Sequence, residues 1–311
     1  MKYYLGIDAG ASSFKCGVVD EDNDIVYKSF IKTNNNQTNE EALNNLSILI
    51  DDAKSKYKLE SIGVGLPCVV NNDKIIMAPN LPNWDNIDFG TYLRTKYKLP
   101  IAIDNDANAG AVAELVAGNG KDLDNFVYIT LGTGIGGAII INKQIYRGNI
   151  GGAGEIGHIL TSTKSKADEK YKYRVGTLEL RAGRYGIIHT YKELAAQNKI
   201  KVQNIDVKDI VDLADKGNQI AIQTLTKTEH QLGCAIITIN HILDIGNFIV
   251  GGGISQSKLL LNTAEITAKE RTLPSVSKVN IIKAKYMQST GIIGAALLGK
   301  TRGAISFVRK N

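Results

Sequence analysis

A chain of 311 residues with 43% hydrophobic and 22% charged side chains is too long for one compact core and too balanced for a disordered or fibrous protein. Two globular domains are expected, and no apolar run reaches the roughly 20 residues that cross a bilayer. The net charge of +6 comes from lysines scattered singly, so neither a nucleic-acid footprint nor a membrane surface is read from it.

The opening Met1-Lys2-Tyr3-Tyr4-Leu5-Gly6-Ile7 reads as a first strand and not a secretory signal, and the expected compartment is the cytoplasm. Cys16, Cys68 and Cys234 have neither metal-knuckle nor disulfide spacing and read as small buried hydrophobes. The first strand ends in Asp8-Ala9-Gly10-Ala11-Ser12-Ser13. Apolar runs over 14–19 and 25–30, joined by the turn Asp22-Asn23-Asp24, then predict antiparallel strands. Leu43, Leu46, Ile50 and Ala53 repeat at helical spacing. Buried strands are predicted over 62–66, ending at Pro67, and over 101–104, ending at Asn105-Asp106, with a helix over 109–117. The first hundred residues therefore read as β-β-β-α-β-α-β.

Residues 126–131 open a second series with the same plan: strand, the turn Gly132-Thr133-Gly134-Ile135-Gly136-Gly137, a return strand over 138–141, and a third over 144–146. A long helix through Ile220, Leu225, Leu232, Ile236 and Ile239 follows, then a strand over 247–250 and Gly251-Gly252-Gly253. A small-residue helix over 291–298 closes the pattern. No low-complexity linker parts the halves, so short hinges with a cleft between domains are expected.

Several segments have the composition of a phosphate site. In Asp8-x-Gly10-x-Ser12-Ser13-x-Lys15, glycine admits close approach, hydroxyls donate, Lys15 is cationic, and Asp8 suits Mg²⁺ held through water. A plain hairpin is the alternative. The turn Gly132-Thr133-Gly134 lacks the Lys-Ser/Thr of a Walker loop and precedes a β-prone run, which excludes both Walker and dinucleotide motifs. A hairpin tip that cradles phosphate with its N–H groups remains. Gly252 and Gly253 offer bare backbone to a flat base, or serve close strand–helix packing. Asp106 is a helix cap or a base at a strand end, beside Asn105. Glu155 and His158, three apart among glycines, point the same way on a helical turn. A carboxylate with an imidazole suits vicinal hydroxyls.

In this order, these motifs resemble the ROK sugar kinases of the actin–hexokinase–Hsp70 fold group, over essentially the whole chain. The most specific match is Gly154-Glu155-Ile156-Gly157-His158. Asp8 to Lys15 and Leu131 to Gly137 look like the two phosphate motifs, and Gly251-Gly252-Gly253 like the adenosine motif. The resemblance implies an α/β, actin-like ATPase (ribonuclease H-like) fold: two similar α/β domains flanking a cleft, here 1–107 plus 294–311 and 108–293. It implies ATP-dependent phosphorylation of the 6-hydroxyl of a glucose-like hexose, with Mg²⁺ and with Asp106 as general base. Gly65, Asn80, Asn105, Glu155, His158 and Glu179 would bind the sugar. Asp8, Gly10, Ser12, Ser13, Lys15, Gly132, Thr133, Gly134, Gly252 and Gly253 would bind the nucleotide. A homodimer is implied.

One departure stands out. Family members follow the Gly-His with a zinc-binding cysteine cluster, but no cysteine lies between His158 and Glu179, so no zinc site is predicted. Gly-Glu-Ile-Gly-His and Asn-Leu-Pro-x-Trp favour glucose; the missing cysteines lean toward N-acetylmannosamine, and zinc-free members also include users of polyphosphate. N-acetylglucosamine is a further candidate sugar. The family also contains sugar-responsive repressors with an added N-terminal DNA-binding domain; with the first motif starting at Asp8, such a repressor is not expected here.

Overall fold

The computed structural model describes residues 1–34, 36–78, 81, 83–84, 87–162 and 175–301. Asn80 and the segment 163–174, where the zinc loop of relatives would fall, lie outside them. In chain order the elements are β1 (Tyr3–Ala9), β2 (Ser13–Val19), β3 (Ile25–Lys32), α1 (Asn39–Lys56), β4 (Leu59–Leu66), β5 (Val69–Asn71), β6 (Lys74–Met77), α2 (Phe89–Tyr97), β7 (Ile101–Asn105) and α3 (Asp106–Ala117). They continue with β8 (Phe126–Leu131), β9 (Ile135–Ile141), β10 (Gln144–Tyr146), α4 (Leu178–Ala182), α5 (Arg184–Gln197), α6 (Val207–Asp215) and α7 (Gln219–Leu243). The last are β11 (Asn247–Gly251), α8 (Lys258–Arg271), β12 (Asn280–Lys283) and α9 (Thr290–Lys300).

Two five-stranded sheets share one plan, with orders β3-β2-β1-β4-β7 and β10-β9-β8-β11-β12. In each, the first strand of the series is central, the next two extend one side, and the later strands are added in parallel on the other. The repeated strand–turn–strand pattern of the sequence is thus a repeated topology. The chain divides into two compact units: Met1–Asn125, Ala138–Gly154 and the chain from Ala284 onward form the first, and Phe126–Gly137 and Glu155–Lys283 the second.

The β-β-β-α-β-α-β reading of the first hundred residues needs one correction. A two-stranded hairpin, β5 with β6, follows Pro67. Its turn residues Asn72 and Asp73 have φ of 51° and 63°, left-handed values that short Asn and Asp side chains tolerate. Asp73 then accepts from Ile103 N (3.0 Å) and Arg94 Nη1 (2.5 Å), tying the hairpin to β7 and α2.

Small residues set the packing of the first unit. Gly6 and Gly63 are neighbours in register on β1 and β4. A Cβ on Gly63 would overlap the Ala295 carbonyl, and one on Gly6 the Ile292 carbonyl, so α9 lies directly on the strands. Gly294 likewise abuts the Ala109 carbonyl, so α9 is pressed against α3. Trp84 is core, enclosed between Phe14 and Phe89 at ring-centroid distances of 5.8 and 5.4 Å.

The second unit buries an acid. Glu229 of α7 is 0% exposed, and neither carboxylate oxygen has a partner at hydrogen-bonding distance among the described residues. Burial pushes its carboxyl up to about 7, against a smaller pull from the Thr263 hydroxyl of α8. In acid both folded and unfolded chains are protonated there. As pH rises from about 4.3 the unfolded chain ionises first, so the stability present in acid is lost until the native group also ionises near 7. The loss is about 3 kcal/mol. Glu229→Gln is therefore expected to raise the melting temperature at pH 8 and to leave it nearly unchanged at pH 4.5, read by thermal melts at both.

Candidate active site

The C-terminal ends of the parallel strands in the first unit, together with the start of β2, gather three of the predicted residues beside Asp104. Lys15, Asp8, Gly65 and Asp104 stand side by side across β2, β1, β4 and β7. The β1–β2 turn is pinned by Gly10 N donating to Ser13 O (3.0 Å) and by Thr33, whose backbone N–H donates to Ser12 O (3.1 Å). Ser12 is exposed there and Ser13 partly so. Burial pushes the Asp8 carboxyl above its ordinary range, and Lys15 partly offsets this. Gly291 leaves room for that carboxylate, because a Cβ there would stand 2.7 Å from Asp8 Oδ2. The first turn of α9 thus faces Asp8, where a helix N-terminus favours negative charge.

Asp106 is the first residue of α3, not its cap. Asn105 is the cap: its side-chain oxygen accepts from Ala107 N (2.8 Å) and Asn108 N (3.3 Å), and its amide donates to Cys68 O (3.2 Å). Most of the hydrogen-bonding capacity of Asn105 is therefore committed to backbone. Asp106 Oδ1 accepts from Ala107 N (2.8 Å), and the residue packs beside Gly65, at ordinary van der Waals distance from where a Cβ would be.

Reading the sequence did not find Arg147. It follows β10 and donates to Asp104, which is 3% exposed at its side chain and also accepts from Asn108 Nδ2 (2.7 Å) and Asn105 N (2.8 Å). This pair, with Asp104 buried and Arg147 partly so, braces the strand end that carries Asn105 and Asp106. Its only signal in the sequence was a lone arginine before Gly148, which nothing local connects to Asp104.

In the second unit Gly132, Thr133 and Gly134 form the tip between β8 and β9, closed by Gly132 N donating to Gly134 O (2.9 Å). Glu179 underpins this tip: its Oε2 accepts from Ile135 N (3.0 Å) and fills the space where a Gly134 Cβ would be. Gly252, at φ 86°, abuts the backbone of Leu131, where any side chain would collide, so the β11 turn lies against the same tip. Gly253 has nothing within 4 Å of its Cβ position, which leaves open space for a flat group.

Glu155 and His158 flank a 3-10 turn over Ile156–His158, with His158 Nε2 3.9 Å from Glu155 Oε2. The helical turn predicted from their spacing is present. Surrounding protein pushes the Glu155 carboxyl upward although 49% of its side chain is open to solvent; His158 lowers it and nearby Glu179 raises it. That carboxylate is an electrostatic neighbour of the imidazole, beyond hydrogen-bond distance.

Known proteins resemble this chain over nearly its whole length. The sequence profile of the ROK family matches residues 4–302. The glucokinase of Halalkalibacterium halodurans is 30% identical over 316 residues, spanning 96% of this chain and 95% of that one. The xylose repressor of Bacillus subtilis is 28% identical over 275 residues, 86% of this chain and 69% of that protein. A ROK family glucokinase from Streptomyces griseus, solved with glucose and AMPPNP, superposes with a TM-score of 0.82 at 25% identity, covering 96% of this chain and 99% of that one. The fold is the actin-like ATPase fold of these structures, and the chain belongs to the ROK family.

Proposed function

We propose that the protein is an ATP-dependent hexose kinase that phosphorylates the 6-hydroxyl of a glucose-like sugar, with Asp106 as general base. The observation that carries this reading is the placement of Asp106 at the head of α3, in contact with Gly65 and two residues beyond Asp104 of the Lys15–Asp8–Gly65–Asp104 row. Strand ends in parallel α/β sheets are where ligands bind. Glucokinase relatives, one of them solved with an ATP analogue, support the donor and the acceptor class.

In this reading the N–H groups of the Gly132–Gly134 tip hold the phosphates, Gly252 and Gly253 carry the adenosine, and Glu155 and His158 hold sugar hydroxyls. Glu179 acts first by shaping the tip. Asp106 takes the proton of the attacking hydroxyl, and positioning with charge neutralisation supplies most of the rate. The residues present fit Mg²⁺: Asp8 is a hard oxygen donor whose ionised form is penalised by burial, a penalty that a nearby cation would relieve. Asp8 would hold it through water, and the ion, when bound, neutralises phosphate charge.

An assay of ADP release with glucose, mannose, fructose, N-acetylglucosamine and N-acetylmannosamine tests the reading. Glucose is expected to give the highest kcat/KM. Fastest turnover of N-acetylmannosamine would move the assignment to that sugar, the choice favoured by the absence of cysteine between His158 and Glu179. Sugar binding without ADP release from any of the five would favour a sugar-responsive regulator, the reading supported by similarity to the xylose repressor.

A further inference from the structure

The second unit holds a cavity of about 610 Å³ that none of the residues assigned above to sugar, phosphate or nucleotide lines. Its volume lies within the usual range for small-molecule sites. Its walls are not the apolar surface typical of such sites. Arg181 of α4 and Lys227 and His230 of α7 bring cationic or proton-accepting nitrogen to it, and Lys227 makes no ion pair among the described residues. Hydroxyls of Ser162, Thr190 and Thr226 line it as well. The carboxylate at the cavity, Glu193, lies 3.3 Å from His189 Nε2. In two wall residues, Thr161 Oγ1 and Gln231 Oε1 are shut off from solvent with no hydrogen-bond partner among the described residues, so it is the other atoms of these side chains that face the cavity.

A guanidinium and an ammonium suit a phosphate group, and a ring of hydroxyls suits a polyol. The wall is also wired to the proposed sugar turn. From His158 the chain runs directly to Thr161 and Ser162, whose N–H groups both donate to Gly176 O (2.9 and 3.1 Å). Leu178 N returns to Ile159 O (2.8 Å), one residue before Glu179. Arg181 Nη2 donates to Ser162 Oγ (3.5 Å), so a ligand that engages either residue bears on the ribbon that carries His158 and Glu179.

We propose that this cavity is a regulatory site for a small phosphorylated polyol, the chemical class of the proposed reaction's own product. The choice of glucose 6-phosphate as probe rests on the kinase reading; the binding itself does not. Calorimetric titration of the whole protein with glucose 6-phosphate is expected to show binding that Lys227→Met weakens roughly tenfold or more, as loss of a charged phosphate contact does. Sugar turnover without the probe should be unchanged in that variant, and matching melting curves would establish that it folds. Thr226→Val provides a second, uncharged lesion at the same wall and should weaken the sugar phosphate more than inorganic phosphate. By reciprocity, saturating glucose should shift the affinity for the probe in the wild type. Unchanged affinity and stoichiometry in both variants would overturn the site, and equal affinity for inorganic phosphate and glucose 6-phosphate would overturn the polyol assignment. Because calorimetry reads binding and not turnover, failure of the kinase reading in the sugar panel remains distinguishable from failure here.

Discussion

Asp106→Asn is expected to lower kcat by a factor of about 10² to 10⁴ while glucose still binds, the range that a positioned general base supplies. That corresponds to about 3–5 kcal/mol of barrier. The substitution keeps the size and shape of the side chain. Asp106 Oδ1 accepts from Ala107 N, and an asparagine oxygen can keep that bond. The cap of α3 is Asn105, which the variant leaves intact. What is lost is the ability to take a proton. Steady-state kinetics give kcat, and calorimetry gives glucose affinity, which should stay within a few-fold. Retention of more than about a tenth of wild-type kcat, roughly 1.4 kcal/mol of barrier, would remove Asp106 as the base and leave it as a helix residue near a sugar. Loss of binding together with turnover would make it a binding group instead.

The second large effect is on folding. Gly63→Ala adds one methyl group where the Ala295 carbonyl already stands, with Gly299 N 3.0 Å away. Overpacking commonly costs 1–3 kcal/mol when side chains can move aside. Here the obstacle is helix backbone, and α9 is held on its other side by the Gly294–Ala109 approach to α3. The helix must lift as a body, so a loss of at least about 3 kcal/mol is expected. Thermal unfolding should show a drop in melting temperature of more than about 5 °C. The same change should lower activity under the proposed function, since α9 begins beside Asp8 and α3 begins with Asp106. An alanine variant that melts within a degree of wild type would show that α9 does not sit on β4 as described. Glu229→Gln, by contrast, is a buried change that should stabilise at alkaline pH.

Much of the architecture is legible in the sequence. Alternation over β2 and β3, helical spacing over α1 and α7, and the glycine turns marked the elements, because strand and helix periods are local properties of the chain. The β5–β6 hairpin was missed although Asn72 and Asp73 are turn residues, because its strands are too short for a period to show. The site was legible in part. The position of Asp106 at a strand end and the i, i+3 spacing of Glu155 and His158 are local facts. The bracing of Asp104 by Arg147 joins residues 43 apart, and no local pattern encodes such a contact. The resemblance assigns Glu179 to the sugar, and in the fold its carboxylate also reaches back 44 residues to Ile135 N. Only the folded chain shows that it supports the glycine tip.

By itself, then, the sequence determined the element types, the duplicated strand–turn–strand series, the phosphate-like turns and the absence of cysteine between His158 and Glu179. Those depend on residue chemistry and short spacing. The tertiary structure decided which of two adjacent polar residues caps α3, which glycines admit a helix against a sheet, and which carboxylate supports a turn. Those depend on where distant backbone passes. Asn105 caps the helix because its oxygen meets two N–H groups and its amide meets Cys68 O, and that leaves Asp106 as the residue at the helix head whose carboxylate the cap does not require.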